Sequence, residues 1–225
     1  MGINMFLWHV VTVGHLSRNK FWGEDESKGY RMPLATCTLL QGEGVNIIID
    51  PSMPAPQMAD ALLNAAGLRP EEITHTYSTH FHGDHHWDLS AFPNAVCCMP
   101  RKDLEELRRN QEEITTKYWT YLKAEQIARL VPAEDHLVPG LTMVSLPGHT
   151  EGLSGYQFDA PEGKVLCTGD CVMTREFFAH GAPYFFGWNL DANIASIAGI
   201  KQPERRPDVI VPGHGEAFLV KAYLE

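Results

Sequence analysis

Alternating and clustered apolar positions divide the chain into short strands separated by helical stretches. Residues 6–14 and 35–40 have β character, and 45–50 is an apolar run rich in Ile and Val. Together they predict a meander of strands. The connection over 17–33 is long, polar and Gly-containing, yet it carries Phe21, Trp22 and Tyr30. Connections of that length usually have a function or are disordered. A helix is expected over 54–66, closed by Gly67. A strand over 73–78 runs into the densest histidine cluster, and 95–99 is another strand. Residues 101–130 are charged and contain no Pro or Gly. Their apolar positions Leu104, Leu107, Ile114, Tyr118, Leu122 and Ile127 follow a helical repeat with one break. Residues 141–146, 155–158 and 164–167 return to strand, 189–200 reads as a helix and 208–211 as a last strand. This order gives an α/β fold. Periodicity by itself supports only mixed α and β, and a four-layer αββα sandwich fits it.

The length of 225 residues suits one domain, 1–225, with a helical insertion near 101–130. No internal repeat or low-complexity segment interrupts it. A formal net charge of −10 argues against a nucleic-acid partner, because phosphate backbones demand clustered Lys and Arg. The five cysteines form no regular framework and suggest free thiols in a reducing compartment. No apolar run approaches the ~20 residues that span a bilayer, and the apolar start reads as a first strand rather than a signal peptide. The expectation is a cytoplasmic protein without a membrane partner.

The segment Thr79-His80-Phe81-His82-Gly83-Asp84-His85-His86 then changes the picture. Imidazole nitrogen and carboxylate oxygen suit a borderline divalent cation such as Zn, Mn or Fe. His80 and His82 leave a strand end, where alternate residues share a face. Gly83 allows Asp84 and His85 to swing toward a second cation. Three later segments each follow an apolar strand and place a ligand-type residue in a glycine turn: Pro147-Gly148-His149, Thr168-Gly169-Asp170 and Pro212-Gly213-His214. Ligands at strand ends converge on one edge of a sandwich. A single such histidine would read as a satisfied turn residue; three, after the first cluster, do not.

The HxHxDH arrangement of His80, His82, Asp84 and His85, followed by His149, Asp170 and His214, resembles the metallo-β-lactamase superfamily over nearly the whole chain. The resemblance implies a dinuclear hydrolase with two divalent cations, most simply Zn. By it, His80, His82 and His149 would hold one cation and Asp84, His85 and His214 the other, with Asp170 bridging. Asp50, at a strand end, is a candidate to orient a ligand histidine. His86, His75, His9, His15 and His136 match no ligand position.

Two cations ~3.5–4 Å apart bring a shared water to a pKa near neutrality, so the implied activity is attack by a bridging hydroxide on a small ester, lactone or thioester. Asp84 and Asp170 are the catalytic candidates, Asp84 as proton donor to the leaving group. Lactonases and thioesterases are the nearest analogues the resemblance offers. β-Lactamase or phosphodiesterase activity, or a non-catalytic metal-binding module, are the alternatives. The aromatic run Phe177, Phe178, His180, Tyr184, Phe185, Phe186 and Trp188 starts at the metal edge, just after Asp170. It reads either as packing or a homodimer face, or as an apolar wall for a small-molecule substrate. On the second reading Phe178, His180 and Tyr184 contact substrate, with Trp22 on a facing flap.

Overall fold

The structure is a computed structural model that describes residues 5–42, 44–117, 122–181, 183 and 187–224; of 115–117 it describes the backbone alone. One sheet has six strands in the order of the chain: β1 (Leu7–Thr12), β2 (Cys37–Gly42), β3 (Val45–Ile49), β4 (His75–Tyr77), β5 (Val96–Met99) and β6 (Val131–Pro132). The first three pair antiparallel, and β3 to β6 run parallel. The second sheet runs β11 (Phe218–Leu219), β10 (Val209–Val211), β9 (Gly163–Cys167), β8 (Ser154–Ala160), β7 (Thr142–Ser145). In it β9 and β10 are parallel and the other pairs antiparallel.

Side-chain alternation along the strands explains the layering. Leu40, Ile47, Ile49 and Cys98 from the first sheet meet Tyr156, Val165, Cys167 and Val211 from the second in one buried cluster. The intervening residues face outward and need cover. Leu39 and Ile48 pack on Met58 and Leu62 of α1 (Ala55–Ala66). Cys97 and Met99 pack on α2 (Arg101–Arg109), α3 (Gln111–Lys117) and α4 (Ala124–Arg129) through Leu104, Ile114 and Ile127. On the far side Leu166 and Ile210 pack on α5 (Arg175–His180) and α6 (Leu190–Lys201) through Phe178, Ile197 and Ile200. The result is the expected αββα sandwich.

Two elements differ from the sequence expectation. Among its described residues the stretch 101–130 forms three short helices with the first break at Asn110, whose backbone has left the helix while its side chain bonds Glu106. Helix α5 carries the start of the aromatic run, where the sequence predicts no element. Its six residues are too few to show a helical period, and Gly181 ends it in the left-handed region. Tyr118, Tyr184, Phe185 and Phe186 lie outside the described residues.

Candidate metal centre

Parallel strands end on one edge of a sheet, and that edge carries the chemistry. Ile49 pairs with Tyr77, so Asp50 and Ser78 leave β3 and β4 side by side, with His80 two residues on. Cys167 pairs with Val211, so Asp170 and His214 each lie three residues past paired strand ends. His149 follows β7, which runs the same way as β9. The two sheets thus deliver their loops to a common edge.

Donor atoms there form two sets, one from His80, His82, His149 and Asp170, the other from Asp84, His85 and His214, each lying within 4.8 Å. Asp170 reaches both sets: its carboxylate oxygens lie 3.3 Å from His149 Nε2, 3.1 Å from His85 Nε2 and 3.2 Å from His214 Nε2. His214 Nε2 is 3.6 Å from Asp84 Oδ2. Within the first set His149 Nε2 is 2.8 Å from His82 Nδ1, and the His80 ring centroid is 5.0 Å from that of His149. Gly213 permits this crowding, since a Cβ there would sit 2.1 Å from Asp170 Oδ1.

Second partners aim these groups. Asp50 Oδ2 lies 2.9 Å from His85 Nδ1, and its other oxygen accepts from the Thr79 amide at 2.7 Å. Leu34 O accepts from His214 Nδ1 at 2.8 Å. Both rings therefore turn Nε2 toward Asp170. His86 is buried and donates a hydrogen bond from Nε2 to the Phe81 carbonyl at 2.6 Å, bracing the histidine loop from within.

Electrostatics fit a cation site. Burial, reinforced by neighbouring histidines, pushes His80 and His82 well below the usual imidazole range, which leaves them neutral with a lone pair to give. Burial alone would push His85 and His214 down as well, but the Asp170 carboxylate holds both above the usual value. Asp170 is itself held well below the carboxylate range: burial would raise it, and His214, His85 and His149 outweigh that. His80 Nε2 is buried without a hydrogen-bond partner among the described residues, and His85 Nε2 and Asp170 Oδ1, equally buried, form no well-aligned hydrogen bond and meet only as an ion pair at 3.1 Å. Unsatisfied buried donors and acceptors are costly, and these three atoms converging on one point fit metal ligation. Five imidazoles and two carboxylates suit two borderline divalent cations.

A family model described as the metallo-beta-lactamase superfamily matches residues 32–214, a span that holds all of these donors. The chain belongs to the metallo-beta-lactamase superfamily. Within the superfamily an N-acyl homoserine lactonase of a Bacillus species is 25% identical over 200 residues, 78% of each chain. The metallo-beta-lactamase domain-containing protein 1 of Xenopus laevis is 28% identical over 81% of this chain and 71% of its own. Among solved structures, a probable metal-dependent hydrolase from Staphylococcus aureus superposes with a TM-score of 0.74 at 19% identity, covering 97% of this chain and 92% of that one. An N-acyl homoserine lactone hydrolase with N-hexanoyl-L-homoserine bound at its catalytic metal centre gives 0.69 at 22%, covering 95% and 94%. These likenesses confirm the superfamily's fold.

Beside the metal centre a cleft of about 390 Å³ opens onto His82 and His149. Phe81, Ile114 and Trp188 give it apolar wall, and Glu106, Glu113 and Glu151 line it with acid, Glu151 paired with Lys102 at 2.9 Å. Of the residues expected to contact substrate, Trp22 lines a separate cleft with Gly215, one residue past His214. His180 is exposed, its ring 4.6 Å from Phe21, and Phe21 also packs edge-on against Phe177. Phe178 is fully buried, 5.5 Å from Phe218 in the layer beneath α5, and does not line the cleft. The aromatic residues that line this cleft are Phe81 and Trp188. Tyr184 lies outside the described residues. The cleft walls from α2 and α3 carry no local sequence signal; only Trp188, in the aromatic run, was visible.

Proposed function

We propose that this chain is a dinuclear zinc hydrolase that opens uncharged acyl esters or lactones. The observation that carries this is Asp170, whose one carboxylate stands 3.1–3.3 Å from histidines of both donor sets at the mouth of a cleft. When bound, two divalent cations supply a water acidic enough to ionise near neutral pH and polarise the substrate carbonyl. The protein's part is placement. Asp170 fixes the spacing of the two halves, and Asp50 and the Leu34 carbonyl fix the ring orientations. Asp84 is the one candidate ligand that is not buried, which leaves it free to hand a proton to a departing alkoxide.

The cleft supports the substrate class. About 390 Å³ is the size of small-ligand sites. Away from the cations the lining is net acidic, with Glu106, Glu113 and Glu151 against Lys102, so the far end of the cleft favours an uncharged acyl part over a phosphate or carboxylate. The N-acyl homoserine lactonase relatives act on a neutral substrate with an acyl chain, and we extend that class to this chain. Phe81, Ile114 and Trp188 then receive the acyl part.

A hydrolysis panel tests the reading. Zinc-loaded protein should turn over N-hexanoyl homoserine lactone faster than nitrocefin or a bis-phosphodiester, and Asp170→Asn should lose that turnover by orders of magnitude while remaining folded. Preference for the phosphodiester, or full activity in Asp170→Asn, would refute it.

A further inference from the structure

Asp103 sits in the first turn of α2, a charged helix in which an acidic residue would ordinarily face water. Instead it is 1% exposed. One of its oxygens accepts from the Phe81 amide at 3.1 Å and from the Thr150 hydroxyl at 2.7 Å; the other accepts from the Gly152 amide at 2.7 Å. The approach at Gly152 requires glycine, because a Cβ there would lie 2.4 Å from Asp103 Oδ1.

The positions of those donors matter. Phe81 stands between His80 and His82, and Thr150 directly follows His149. Two loops from different sheets, which deliver all three histidines of one donor set, are tied to the same carboxylate. The other set is aimed by Asp50 on His85 and Leu34 on His214; Asp50 also holds Thr79, whose hydroxyl lies 3.1 Å from His80 Nδ1, but reaches neither His82 nor the His149 loop in any of these bonds.

We propose that Asp103 is a positioning residue that holds the His80, His82 and His149 half of the metal centre in register, and that this half depends on it more than the other. The proposal rests on the two-cation reading of the site. Asp103 acts by fixing the backbone on either side of the donor residues. Hydrogen bonds to a carboxylate are the strong kind, and three of them converge here. Outer partners of metal ligands typically set affinity by ~10–100-fold.

The test is zinc titration of the full chain against a competing chelator, with the histidine side-chain resonances followed by NMR. Wild type should bind two ions. In Asp103→Asn one ion should bind nearly as in wild type while the other weakens by ~10–100-fold. The rings of His85 and His214 should respond early in the titration and those of His80, His82 and His149 late. Thr150→Val, which removes one of the three bonds, should weaken the same ion by a smaller factor, and Thr150→Ser should restore it. Equal weakening of both ions, or none, would overturn the proposal. A wild type that binds fewer than two ions would instead remove the two-cation reading. The proposal is then decided on metal-free protein: Asp103→Asn should broaden the His80, His82 and His149 ring signals more than those of His85 and His214, and equal broadening or an unchanged spectrum would overturn it.

Discussion

Asp50 and His85 meet at 2.9 Å, carboxylate to Nδ1, both buried beneath the metal centre. Asp50 adopts φ of 52°, in the left-handed region that Asp and Asn tolerate better than other side-chain-bearing residues. Asp50→Asn keeps that backbone and removes the charge that holds His85 with Nε2 toward Asp170. Zinc affinity should fall by ~10–100-fold, with the His85 half affected first. Competition with a chelator measures it. Unchanged affinity would show that the pair only packs.

Removing metal should destabilise the fold. Without it His80 Nε2 stays buried and unsatisfied, and His85 Nε2 and Asp170 Oδ1 have only their mutual ion pair. A ligand at a thousandfold over its Kd contributes ~4 kcal/mol, which for a domain of this size corresponds to a Tm change on the order of 10 °C. Calorimetry with and without chelator should show that fall, and elemental analysis should find two ions per loaded chain. Equal Tm values would contradict the metal assignment.

Phe178 belongs to the core beneath α5. Phe178→Ala should cost ~3–5 kcal/mol of stability, as large-to-small core changes do. The ratio of kcat/KM for a hexanoyl against an acetyl ester should not move. A shifted ratio at unchanged stability would return Phe178 to the substrate site.

Trp188 is the converse case. It is 57% exposed at the rim of the cleft, and its backbone amide donates to the His149 carbonyl at 2.9 Å. Trp188→Ala should leave Tm nearly unchanged, because exposed side chains contribute little. It should raise KM for the hexanoyl ester by about tenfold, the scale of one lost apolar contact, and spare the acetyl ester. An equal effect on both esters would place the indole outside the acyl path.

The donor set was legible in the sequence because each ligand is flagged locally: His80 to His85 by their spacing, and His149, Asp170 and His214 by a glycine turn after an apolar strand. The sandwich was legible for a related reason, since runs such as Val45 to Asp50 have both faces buried and so need a layer on each side. Asp103 was not legible. Its neighbours Arg101, Lys102 and Glu105 mark a solvated helix, and the three donors that bury it come from residues 22 to 49 positions away. For Phe178 the sequence left packing and substrate wall both open, because nearness to Asp170 says nothing about which side of a six-residue helix faces the metal edge; its burial agrees with packing. Asp50 was visible as an acid at a strand end, but its grip on Thr79 emerges only when β3 and β4 pair.

The most direct test of the two-cation centre is lactone opening followed by proton release as zinc is added back to metal-free protein. N-Hexanoyl homoserine lactone is the substrate, and the protein concentration is held well above the zinc Kd. The expected curve starts from no measurable activity, rises, and reaches its plateau at two zinc ions per chain. A plateau at one ion, or turnover by the metal-free protein equal to that of the loaded form, would contradict the account.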